Sequence, residues 1–347
     1  MLPAKPLEKT FAEGYPSAVD ELRAQIATVE PDLVVGLYAL LRAAGMTVSY
    51  SEAEVLSGQA TQFVYRCDQP ASQQISFVPP VDTLFKALEV TWKEVTPSDV
   101  QTAYGILREW IEAGSVAMAK FEEPLLIYGF AHSELESALI GARLPARLSE
   151  IVLSPAECEK DMWRYPIDEG NLLIRVERAP RKIPDLTELV KVVARRAVHA
   201  WYDSPLAGCA TGDQAYRDLA RDLRDEKVDF TQPRLITWTG RGLWKQWTAR
   251  IHAERFFDRT APRFGGKQRT AVSHAAFCYG QCVDAWKKWA GMLGPTWNAA
   301  RIGFLPPFPD LFLAQWRDMH RRSRAAEFVE QARDWEEKAV MELVKLI

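Results

Sequence analysis

The spacing of hydrophobic positions changes along the chain, and that change divides it. From Asp32 to Gly45, the residues Val34, Val35, Leu37, Tyr38, Leu40 and Leu41 recur with helical spacing, with Asp32 placed to cap the helix and Gly45 to stop it. A helix this apolar belongs at the centre of a fold. Thr96-Pro97-Ser98-Asp99 opens a second helix that runs through Trp110 to Ala113 and ends at Gly114, with Pro97 where a missing N–H does no harm. Short apolar runs then replace the helical period, at Val116–Ala119, Leu125–Phe130, Ala138–Ala142, Ile151–Leu153 and Leu172–Val176. Connections this short cannot hold crossover helices, so the runs predict strands of a small antiparallel sheet. Ser154-Pro155-Ala156-Glu157 has capping-box spacing and predicts one short helix before the last strand.

After Arg178 long helical periods return, at 185–202, 213–226, 243–260, 268–293 and 310–345, with no strand alternation beyond a short piece at Leu235–Trp238. The prediction is an α+β fold: an N-terminal half over 1–178, with a central helix and an antiparallel sheet, followed by an all-α domain over 179–347. Tryptophan usage agrees, since of 12 Trp only Trp92 and Trp110 precede residue 160. Large rings concentrated in the second half suit the core of a helical domain.

Composition narrows the function classes. Lys plus Arg number 43 and Asp plus Glu 46, a net charge of −3, which gives no general attraction to nucleic acid or anionic lipid. At 48% hydrophobic and 26% charged residues the 347-residue chain is globular in composition. Its longest apolar stretch, Leu33 to Leu41, is far below the roughly 20 residues that span a bilayer, and Met1 to Pro16 lacks the apolar block of a secretory signal. Five cysteines, an odd number with no CxxC pair, argue against a disulfide framework and a structural zinc finger and fit a reducing cytoplasm. No nucleic acid, membrane, metal or cofactor is indicated.

Val35-Gly36-Leu37-Tyr38-Ala39-Leu40-Leu41-Arg42-Ala43-Ala44-Gly45, then Ser49-Tyr50-Ser51-Glu52 and Leu56-Ser57-Gly58, resemble the opening of papain-like proteins of the bacteriocin-processing peptidase kind. The butirosin biosynthesis protein H type, in which a papain-like half precedes a helical one, is closer still. The second half is compatible, through Gly212, Ala215, Leu219 and Leu223 and through Arg250 to Phe257. The resemblance implies a nucleophilic Cys on the first turn of the central helix, where the positive helix end favours thiolate. Val35 stands at that position. It implies a His six residues before a Gly-aromatic pair, and counting back from Gly129-Phe130 lands on Glu123. The strand expected to carry the orienting Asp, Ala138 to Arg143, has no carboxylate. The resemblance therefore implies a degenerate protein with no catalytic residue, binding a small molecule or a protein partner in a cleft near Tyr38 and Glu123, in a setting of bacterial specialised metabolism.

Two alternatives stay open. One is an active acyltransferase or amide-forming enzyme with a displaced nucleophile, Cys67 or Cys158, although neither opens a helix. The other is an interaction protein whose Trp-rich helices carry the function. The remaining constellations read as structure. His274, Cys278 and Cys282 lie on one helical stripe, but about 12 Å from first to third exceeds what one tetrahedral ion spans. His132 follows a strand with no nucleophile set for it, and Ser133 lacks a Gly-x-Ser-x-Gly context. Arg263 to Thr270 has glycines and a Lys before a helix, yet without phosphate-loop spacing, and predicts a helix-to-helix turn. The basic run His320 to Arg324 predicts a solvated or partner-facing surface, and Glu122-Glu123 and Asp334 with Glu336-Glu337 supply carboxylates whose geometry adjacency does not fix.

Overall fold

The structure, a computed structural model, describes residues 8–11, 33–65, 79–120, 124–132, 137–143, 147–153, 172–203, 210–232, 235, 243–292 and 310–347. In chain order the elements are β1 (Glu8–Phe11), α1 (Leu33–Ala43), α2 (Tyr50–Leu56), β2 (Val64–Tyr65), α3 (Pro80–Ala87), β3 (Thr91–Val95), α4 (Val100–Glu112) and β4 (Ala117–Lys120). There follow β5 (Pro124–His132), β6 (Ser137–Arg143), β7 (Arg147–Leu153), β8 (Leu172–Arg178), α5 (Leu186–Tyr202), β9 (Ala210–Thr211) and α6 (Gly212–Arg224). The chain closes with α7 (Leu243–Thr260), α8 (Gly266–Met292), α9 (Asp310–Arg317) and α10 (Met319–Val344). The fold is α+β with a helical C-terminal part.

Two compact units divide the chain: Met1–Ala53 with Leu84–Pro184, and Glu54–Thr83 with Asp185–Ile347. The expected division at 178 is a single cut; the observed one also assigns 54–83 to the second unit. The physical reason is the side chains of Phe63 and Tyr65, which are buried in one cluster with Tyr216, Leu219 and Trp286.

In the first unit the strand order is β3-β8-β4-β5-β6-β7, with β1 on the far half of β5, and every pairing is antiparallel. Register aligns Met118 with Leu126 and with Ile174, all three fully buried, while the alternate residues Ala117, Ala119, Leu125, Ile127 and Leu173 are buried against Leu107, Trp110 and Ile111 of α4. With side chains alternating across a strand, the centre of this sheet is therefore covered on both faces. α1 packs on the same strands, β4, β5 and β8.

Local chemistry sets the helix ends. α1 stops where Gly45 takes φ 80° and the amide of Met46 reaches back to the Leu41 carbonyl at 3.0 Å. α2 opens on a reciprocal cap: Glu52 Oε2 accepts from the Ser49 amide at 2.7 Å, and Ser49 Oγ accepts from the Glu52 amide at 3.3 Å. α4 is capped by Asp99, which accepts from the Thr102 amide at 2.7 Å, two residues beyond Pro97. That backbone bond, with the Ser98 and Thr102 hydroxyls, holds the Asp99 carboxyl below its usual range.

The second unit packs long helices around aromatic rings. Trp201, Trp286, Trp289 and Trp316 are all buried, as the Trp distribution predicts. Trp289 lies 5.9 Å from Trp316, and Phe230 stacks on Trp316 at 5.6 Å. The helix predicted over 310–345 is broken into α9 and α10 at Asp318, whose carboxylate accepts from the amides of His320 and Arg321. A short acidic side chain that offers the backbone this bond stops one helix and starts another. Of the piece at Leu235–Trp238 only Leu235 is described, and it is helical; the helix predicted at Ser154 lies outside the described residues.

Gly212 shows how closely two backbones approach. It has φ 51°, and a Cβ there would stand 2.5 Å from Trp201 Cα and 2.6 Å from the Ala200 carbonyl oxygen. Its amide donates to the Phe63 carbonyl at 2.9 Å, so α6 begins in contact with both the end of α5 and the 54–65 segment.

Candidate functional site

The two expected landmarks of the first unit sit inside it. Val35 occupies the first turn of α1 with no exposed surface, and Tyr38, also fully enclosed, meets Tyr50 edge-on at 5.7 Å between ring centroids. Tyr38, which the resemblance puts beside the cleft, is therefore enclosed rather than exposed. Glu122, Glu123, Ser133, Cys67 and Cys158 lie outside the described residues, and His132 ends β5.

The charged cluster that sequence reasoning missed is in the second unit. Arg250 of α7 has no exposed surface and Glu336 of α10 is 2% exposed. The guanidinium grips the carboxylate by two edges: Nη2 donates to Oε1 at 2.7 Å and to Oε2 at 2.8 Å, and Nε donates to Oε2 at 3.0 Å. Its remaining group, Nη1, donates to the Gln62 carbonyl at 3.0 Å and to Gln246 one turn earlier. The Tyr216 hydroxyl completes the set by donating to Glu336. Each of the three guanidinium nitrogens donates to at least one acceptor, the kind of pairing under which a charge can be kept out of water.

Electrostatics follow from that enclosure. Burial acts to lower the Arg250 pKa, but the Glu336 charge beside it more than compensates and keeps the guanidinium protonated. Burial pushes the Tyr216 hydroxyl well above its ordinary value, with Arg250 opposing. Burial, helped by the Glu336 charge, also drives the Cys282 thiol upward, and Cys278 rises from burial and the Glu342 charge. A thiol whose pKa is raised offers little thiolate and is a poor nucleophile. His274 of the same stripe is 63% exposed, with Nδ1 4.0 Å from Glu342, so the stripe turns its histidine outward and its cysteines inward. Among the described residues no group of three His, Cys, Asp or Glu could hold a metal ion.

Two sequence expectations about basic residues separate here. The predicted helix-to-helix turn between α7 and α8 falls at residues 261–265, and the rest of the Arg263 to Thr270 stretch is already the first turn of α8, opened by Gly266 at φ 51°. The basic run at 320–324 is not a uniform surface, because Arg322 is 4% exposed. It donates to the carbonyls of Leu223, Asp222 and Asp225 at 3.0, 2.8 and 2.6 Å and lies over the Phe230 ring at 4.7 Å. Arg322 turns inward because the carbonyls at the C-terminal end of α6 lie past its i+4 ladder, where a cation adds donors at the negative helix end.

An open groove of about 660 Å³ runs beside α6, with Arg217, Arg221, Arg224 and Arg333 on its walls. Each arginine already holds a carboxylate: Asp213 at 2.6 Å, Asp218 at 2.8 Å, Glu330 at 2.6 Å and Asp334 at 2.8 Å respectively. The groove is thus a lattice of ion pairs, not a reservoir of positive charge. Among the described residues no helix is long and apolar enough to cross a membrane.

Comparison of the chain with protein-family models gives no match, and comparison with curated proteins gives none either.

Proposed function

We propose that this chain is a papain-like protein of the butirosin biosynthesis protein H type that has lost its catalytic residues and works by binding a small molecule or a protein partner. The observation that carries the reading lies at the first turn of α1. There Val35 is buried on a helix packed against an antiparallel sheet, where the resemblance puts an attacking sulfur. A branched hydrocarbon has no lone pair with which to attack a carbonyl. The two described thiols add support, since Cys278 and Cys282 are free, buried and held protonated. Free thiols also suit a cytoplasmic setting. Glu123 is the residue assigned to the binding cleft.

Iodoacetamide labelling of the native protein at pH 6, mapped by mass spectrometry, tests this. The expected result is that none of the five cysteines outpaces a free thiol. Labelling of Cys67 or Cys158 far ahead of the others would mark an activated thiolate and establish the displaced-nucleophile enzyme instead. In a thermal-shift screen of small molecules, stabilising hits are expected to lose their effect in Glu123→Ala; hits indifferent to that change would place binding elsewhere.

A further inference from the structure

Every residue from Leu56 to Tyr65 is buried, and what encloses this short segment comes from far along the chain. Its main chain is read at three carbonyls: Leu56 by Arg196 at 2.9 Å, Gln62 by Arg250 at 3.0 Å, and Phe63 by the Gly212 amide at 2.9 Å. Val64 and Tyr65 pair antiparallel with Thr211 and Ala210. Two aromatic anchors, two positions apart, fix the register. Phe63 stacks on Tyr216 at 4.1 Å with Trp286 at 6.0 Å, and the Tyr65 hydroxyl donates to Asp222 at 3.0 Å.

These are the parts of a peptide-recognition site: strand pairing and donors aimed at carbonyls for affinity, pockets for aromatic anchors for selectivity. Arg250 is pre-set for this task, since Glu336 fixes the plane of its fork and leaves Nη1 for the carbonyl. The geometry points to a receptor cleft in the second unit for an extended segment of the form aromatic-x-aromatic, closed in cis by Phe63-Val64-Tyr65. The partner it fits is an extended peptide of that form, which enters when the chain's own segment leaves. This inference stands on the second unit alone and does not need the papain-like reading.

A tethered segment competes at an effective concentration on the order of millimolar, so an external peptide gains access only when the cis anchors are weakened. The test uses the full chain and a fluorescein-labelled peptide with the sequence of residues 56–65, followed by anisotropy. At about 100 µM peptide, the Phe63→Ala/Tyr65→Ala protein is expected to capture at least about tenfold more than the unaltered chain. A peptide with both aromatic residues replaced by Ala is expected to be ignored. A cooperatively folding double variant that binds neither peptide, or both alike, overturns the proposal. Should that variant not fold, amide exchange of the unaltered chain decides: residues 63–65 are expected to exchange at least about tenfold faster than the interior of α8, and equal rates overturn the cis-closed site.

Discussion

Replacing Arg250 by Met removes one member of the buried pair while keeping most of the side-chain volume. Glu336 then loses the contacts of two donor nitrogens, Nη2 at 2.7 and 2.8 Å and Nε at 3.0 Å, and keeps the Tyr216 hydroxyl. The Gln62 carbonyl loses its donor as well. Gross hydrogen-bond energies of about 1.5–3 kcal/mol each to a charged group overstate the loss, because the stranded carboxylate can take up a proton. Breaking a buried pair from one side costs about 3–5 kcal/mol, and Glu336→Leu is expected to cost a similar amount by stranding the guanidinium. For a unit of this size, at about 2–4 °C per kcal/mol, either change lowers Tm by roughly 6–20 °C. The double variant Arg250→Met/Glu336→Leu strands no charge and is expected to recover most of the loss. Urea denaturation followed by tryptophan fluorescence reads all four proteins, since Trp286 lies 6.0 Å from Tyr216. Single variants costing under about 1 kcal/mol, or a double variant costing the sum of the singles, would show that the pair is not coupled as its geometry requires.

Gly212→Ala forces a Cβ into the Trp201 backbone in a left-handed conformation and is expected to cost about 2–4 kcal/mol, read as a lower urea midpoint. Cys282 is expected to resist thiol reagents in the native protein and to label only as the chain unfolds; fast native labelling would contradict its full burial. Arg224 depresses the Glu330 pKa, so this pair's contribution is present above the ordinary carboxylate range and is lost as pH falls through the lowered value. Because both side chains are over a third exposed, Arg224→Met is expected to cost no more than about 1 kcal/mol at pH 7. Its stability curve converges with that of the unaltered chain in acid, and a gap that persists at pH 2 would be inconsistent with the linkage.

What could be read in the sequence was whatever depends on neighbours along the chain. Gly45, Asp99 and Gly114 mark helix ends through bonds to nearby residues, and the antiparallel order of β4 to β7 follows from connections too short for crossovers. The membership of 54–65 was not legible, because its period says nothing of partners 140 or more residues on. Glu336 did leave a trace. It stands on the buried stripe of Ala325, Val329, Ala332, Val340 and Leu343, as Arg250 stands beside buried Ala249 and Ala253. Opposite charges on two apolar stripes predict each other. Arg322 was hidden by its basic neighbours, since composition cannot tell which member of a run turns inward. Asp318 carried a cap signal within an otherwise continuous helical period, and the local bond won.

The distance in sequence between Gln62 and Arg250, 188 residues, sets a timetable for the newborn protein. At roughly 5–20 residues per second on the ribosome, Phe63 and Tyr65 emerge about 10–40 s before Arg250 is made. Throughout that interval two aromatic rings and a row of main-chain carbonyls wait without the groups that will enclose them. Translation speed and chaperone supply therefore bear on the yield of this protein through ten early residues more than through its long late helices.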